Sequence, residues 1–116
     1  MEPSIDLTYI RRMAYMDDFL MIELIQNWEF DVNERIIFIE QAIQNNKTQY
    51  FFKIIHELKT SFLIIGSGHG LKYCELLILN LSNGETLTQM DILKLKEIYA
   101  EIVKTIAVQK LNLKLI

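Results

Sequence analysis

Proline occurs once in this chain, at Pro3, and the four glycines, Gly66, Gly68, Gly70 and Gly84, crowd into one short span. The stretches 4–65 and 85–116 therefore contain neither residue. A sheet protein needs turn residues roughly every 8–12 positions, and glycine and proline are the strongest of them. Two unbroken stretches of this length exclude a strand-and-turn plan. The chain is predicted to be all-helical.

The apolar spacing places five helices. A short first helix covers about residues 6–14, with Ser4 or Asp6 as its N-cap. The second runs from about 17 to 44 along a seam of Met21, Ile25, Trp28, Val32, Ile36, Ile39 and Ile43, at steps of three and four. Its length is about 40 Å at 1.5 Å per residue. Asn45, Asn46 and Lys47 form the turn after it. The third covers about 48–65, with Phe51, Ile54, Ile55, Leu58, Phe62 and Ile65 inward, and Gly66 stops it in the left-handed conformation. The fourth covers about 70–81, with Leu71, Cys74, Leu77, Ile78 and Leu81 inward. The fifth starts at Thr88, which stands three residues before Asp91 at capping-box spacing, and its seam is Ile92, Leu95, Tyr99, Ile102 and Ile106. Short connections between long amphipathic helices favour antiparallel neighbours. The expected architecture is an antiparallel up-down four-helix bundle with the short first helix across one end. It forms a single domain over 1–116, with a core at about 5–109 and a tail at 110–116.

Composition removes several function classes. The net charge of −3 argues against general nucleic-acid binding. The single Cys74 allows no internal disulfide and no multi-cysteine zinc site. No apolar run approaches the roughly 18 residues of a membrane span, and the N-terminus has no basic-then-apolar signal. A cytoplasmic monomer is expected, with no membrane and no metal.

One residue stands apart from this apolar plan. His56 falls on the outer face of the third helix, with Phe52, Lys59, Thr60 and Leu63 as its helical neighbours. A neutral imidazole is a nucleophile near pH 7. Phosphoryl transfer needs an accessible nucleophile and positive charge near the equatorial oxygens, and Lys59 could supply that charge. By spacing alone, a solvated histidine beside a solvated lysine is the plainer account.

The wider segment His56-Glu57-Leu58-Lys59-Thr60-Ser61-Phe62, with Gly66 ten residues after the histidine, resembles the histidine-containing phosphotransfer (HPt) family, whose pattern is H-x-L-K-small-S followed by that glycine. The likeness extends over about 5–107. Residues 5–10 resemble the family's opening helix. Asp17-Asp18-Phe19-Leu20, followed by Trp28, Arg35, Ile39 and Ala42, resembles its long second helix. The resemblance implies that His56 accepts a phosphoryl group from the phospho-aspartate of a receiver domain and passes it to another receiver. The partners would be receiver domains of response regulators or hybrid histidine kinases. It implies a phosphohistidine carrier without ATP-dependent kinase activity and without a cofactor of its own, the Mg²⁺ belonging to the receiver. Lys59 would lie near the phosphoryl oxygens, Ser61 would support the helix, and Gly66 would end it. The chain departs from the family in three places. Thr60 stands where glycine is frequent, Ile78 where many members carry Glu or Gln, and 67–70 is unusually glycine-rich, which leaves room for a late start to the fourth helix.

Phe52, Thr60 and Leu63 are candidate partner-binding residues around His56. The alternative for Phe52 and Leu63 is partial burial against a neighbouring helix. Phe19 and Ile22 either extend that patch or pack under the first helix. His69 lacks the flanking pattern of an acceptor, and His56, His69 and Cys74 match no metal-ligand spacing. Cys74 and Trp28 read as core, and Asp17 and Asp18 as capping. The tail alternates polar and apolar residues, and could extend the last helix, add to a partner or fray. The rival to a carrier is a non-catalytic interaction module of the same shape, which binds receiver or kinase domains without phosphotransfer and would not need His56.

Overall fold

The computed structural model describes residues 5–113. Among them there is no strand. The elements are α1 (Thr8–Met13), α2 (Asp18–Gln44), a 3₁₀ turn (Thr48–Tyr50), α3 (Phe51–Ile65), α4 (Gly68–Ser82) and α5 (Gln89–Leu113). Among the described residues no helix is long and apolar enough to cross a membrane.

Three of the helices, α2, α4 and α5, begin where a side chain satisfies a free N–H group. The Asp17 carboxylate accepts from the Leu20 N–H at 3.0 Å and starts α2. The Ser67 hydroxyl accepts from the Gly70 N–H at 3.0 Å, so α4 starts two residues earlier than its spacing predicts, at Gly68. The glycines do not delay it. Thr88 and Asp91 form the expected reciprocal cap of α5, with the Thr88 N–H donating to Asp91 Oδ2 at 2.9 Å. The first helix is shorter than expected. Asp6 sits just ahead of it and accepts from both the hydroxyl (2.6 Å) and the N–H (3.0 Å) of Thr8. Those two bonds hold the Asp6 carboxyl below its ordinary pKa. Ser4, the other N-cap candidate, lies outside the described residues.

All six expected inner residues of α3, from Phe51 to Ile65, are buried. The core continues through Met21, Ile25, Trp28, Val32, Ile36 and Ile39 of α2, and through Ile92, Leu95, Ile102 and Ile106 of α5. Three details differ. At the end of α2, Ala42 is buried and Ile43 only partly so. The small Ala42 lies where the chain reverses, its carbonyl accepting from the Lys47 N–H at 2.8 Å. On α5, Ile98 takes the core position and Tyr99 the flank. A phenol needs a partner for its hydroxyl, and Tyr99 donates to the Glu29 carbonyl at 2.9 Å while stacking on Trp28. On α4 only Gly70, Cys74 and Leu77 are buried, whereas Leu71, Ile78 and Leu81 are half-buried. This helix rests mainly on α3 and touches α5 much less, so its covered stripe is narrow.

Gly66 fixes the corner between α3 and α4. Its φ is +75°, and its carbonyl accepts from the Asp6 N–H at 3.0 Å. A Cβ there would overlap the Asp6 backbone. The glycine therefore ends α3 and also holds the N-terminal segment, whose Ile5, Leu7, Ile10 and Ala14 are buried. The turn between α1 and α2 contains no glycine, yet Tyr15 and Met16 are left-handed at φ 53° and 62°. Their N–H groups recover the Arg12 and Arg11 carbonyls, which closes α1. Of the tail, the backbone of α5 continues as helix to Leu113, and residues 114–116 lie outside the described residues.

Candidate functional site

The apolar face of α3 turns toward α2 and α4, which leaves the opposite face in solvent. His56 lies on that face and is exposed. Its ring meets Phe52, one turn earlier, edge-to-face at a centroid distance of 4.7 Å and an interplanar angle of 68°. Helical side chains lean toward the N-terminus, which brings an i, i−4 pair together. The contact limits how the imidazole turns without covering it.

Phe52 and Leu63 are 47% and 61% exposed, so neither is packed under a neighbouring helix. Thr60 is exposed as well, and its hydroxyl donates to the His56 carbonyl at 3.3 Å. With the hydroxyl bonded back to the helix, Thr60 adds bulk to the face at the position one turn past the histidine. Phe19 is 76% exposed and so is not packed under α1, while Ile22 is half-buried.

Lys59 is half-buried and turns toward α4, where its Nζ lies 3.8 Å from Glu75 Oε2. The same two charges act on Cys74, whose buried thiol is pushed up to about 12 by desolvation, with Lys59 pulling the other way. Glu57, the next residue after His56, turns to the other side and meets Arg35 of α2 at 3.2 Å. The Ser61 hydroxyl donates to the Glu57 carbonyl at 3.2 Å, and the Ser61 carbonyl accepts the Trp28 indole N–H at 2.7 Å. A groove of about 410 Å³ opens between α1, α2 and α3, lined by Met13, Asp31, Arg35, Glu57, Thr60 and Ile64 among others.

The sequence brings His56, Phe52, Lys59, Thr60 and Leu63 to one helix, and the structure leaves four of them exposed and Lys59 half-buried. It adds two residues that spacing did not single out. Lys53 precedes His56 by three residues and is exposed, so the histidine has a lysine three residues away on each side. The K-x-x-H-x-x-K spacing was the available signal. Glu75 had no signal, because its pairing with Lys59 crosses between helices. His69 is exposed in the first turn of α4, not in a loop. Among the described residues no group of His, Cys, Asp and Glu could hold a metal ion.

No family model matches the chain, and neither does any curated protein or solved structure. The outer face of α3 presents an exposed imidazole held by one ring contact, cations one turn away, and exposed apolar side chains.

Proposed function

We propose that the chain is a phosphorelay carrier of the HPt kind, in which α2 to α5 form an antiparallel four-helix bundle with α1 across one end. The observation that carries this is the exposed His56, braced by Phe52 and flanked by the exposed Leu63 and by Lys59. An imidazole nitrogen of His56 attacks the phosphorus of an aspartyl phosphate on a receiver domain. The N–P bond forms as the P–O bond to the aspartate breaks, and the electron pair leaves with the carboxylate. The second ring nitrogen keeps its proton. Passing the group to another receiver reverses these bond changes. The receiver supplies Mg²⁺ and most of the charge stabilisation, and this chain supplies the nucleophile and Lys59. Phe52, Thr60 and Leu63 lie in the surface that the receiver of a response regulator or hybrid kinase would cover. The carrier works as a cytoplasmic monomer.

The test uses a panel of radiolabelled, phosphorylated receiver domains, offered to the wild type and to His56→Gln. Label moving only to the wild type, acid-labile and base-stable, is the expected result. Label on His56→Gln would sink the assignment of the acceptor. Binding without transfer from any receiver would favour a non-catalytic interaction module, a reading that the exposed apolar stripe and the bulk of Thr60 also suit.

A further inference from the structure

We infer that Glu75 is a positioning residue for Lys59, the counter-ion that a phosphoryl group on His56 must displace; this rests on the carrier reading. Lys59 follows His56 by one turn, and a helical side chain leans back toward the preceding turn. Its stem is therefore directed over the histidine's own turn, yet its ammonium goes to Glu75 of α4. This ion pair is loose, at 3.8 Å against 3.2 Å for Arg35–Glu57 and 3.0 Å for Lys96–Glu40. Its side chains are 36% and 52% exposed, so solvent screens it and it exchanges partners cheaply.

A phosphoryl group brings about two negative charges at pH 7. It outcompetes a single carboxylate for the same ammonium. Phosphorylation then moves Lys59 from Glu75 to the phosphoryl oxygens and leaves Glu75 facing water without its partner. Glu57 is engaged by Arg35, and the exposed Lys53 meets the phosphoryl group without leaving a partner among the described residues, so Lys59 is the cation whose capture breaks an ion pair. The lost pair counts against the phosphorylated state only. Glu75 thus keeps the phosphohistidine reactive, which favours onward transfer over storage.

Phosphoramidate tests this without a receiver. The His56 nitrogen attacks phosphorus, the new N–P bond forms as the old P–N bond breaks, and ammonia leaves with the electron pair. Hydrolysis then returns the pair to the imidazole and releases orthophosphate. Occupancy and lifetime are read for each histidine by site-resolved mass spectrometry, with the exposed His69 as an internal control. Glu75→Gln should raise both at His56 by about two- to five-fold, the range of an exposed ion pair, and leave His69 unchanged. In a Lys59→Gln background the same substitution should do nothing. Equal lifetimes in wild type and Glu75→Gln overturn the inference, and so does an effect that persists without Lys59. A wild-type His56 that takes no phosphoryl group overturns it as well. The carrier reading is judged separately, by the receiver panel.

Discussion

Replacing Gly66 by alanine should cost more than any other glycine substitution that leaves the core side chains in place. Two effects add there. A residue with a Cβ at φ +75° pays roughly 1–2 kcal/mol for the left-handed conformation. The Cβ also overlaps the Asp6 backbone, so the Asp6 N–H bond to the Gly66 carbonyl is broken or stretched, at about 1 kcal/mol more. Ile5 and Leu7, both buried, follow that segment and loosen with it. The expected total is about 2–4 kcal/mol, or a fall of about 8–16 °C in Tm for a domain of this size. Gly84 supplies the reference. Its φ is +88°, but a Cβ there meets open space, so Gly84→Ala isolates the conformational term at about 1 kcal/mol. Both variants are compared with the wild type by urea and thermal unfolding, and hydrogen exchange at the Asp6 amide reports the broken bond. Equal losses in the two variants, with Asp6 still protected in Gly66→Ala, would refute the role given to this contact.

The Cys74 thiol holds its proton to about 12 in the fold and to about 9 once unfolded, because burial disfavours the thiolate. The folded state binds the extra proton between those values, so stability should fall as pH rises from about 9 toward 12. Ellman's reagent should react with Cys74 at pH 8 only when denaturant is added. The Asp91 carboxylate takes hydrogen bonds from the Thr88 N–H and the Tyr73 hydroxyl, so Asp91→Ala should cost about 2 kcal/mol in urea unfolding. It should also bring the Tyr73 phenol, raised by burial first and then by Asp91, back toward its ordinary value in a spectroscopic titration. Thr60→Gly should cost about 0.5 kcal/mol of helix stability yet speed transfer from a receiver in a rapid-quench assay. An unchanged rate would show that Thr60 does not crowd the partner.

The inner face of α3 was legible because all its apolar positions repeat at helical spacing and meet helices along its whole length. The same rule was less sharp where a seam ends or drifts. It pointed to Ile43, whereas the reversal of the chain covers Ala42 instead. It also pointed to Tyr99, whereas Ile98 takes the core position and the Tyr99 hydroxyl goes to the Glu29 carbonyl at the flank. Glycine density at 67–70 suggested a late α4, while the Ser67 cap sets an early one. At the candidate site, His56 and its neighbours along one helix could be read from spacing. The direction of Lys59 could not, because it depends on Glu75 from another helix, and sequence distance carries no trace of that meeting.

Trp28 is the one tryptophan in the chain. Its indole meets Phe62 of α3 at 6.3 Å, stacks on Tyr99 of α5 at 6.1 Å, and donates to the Ser61 carbonyl. The protein therefore carries its own optical probe at the point where three helices meet. Separating any of them from α2 opens the ring to water and shifts its emission to the red, so one fluorescence trace follows their assembly together. No dye need be attached to the face that carries His56, where a label would stand in the way of whatever binds there.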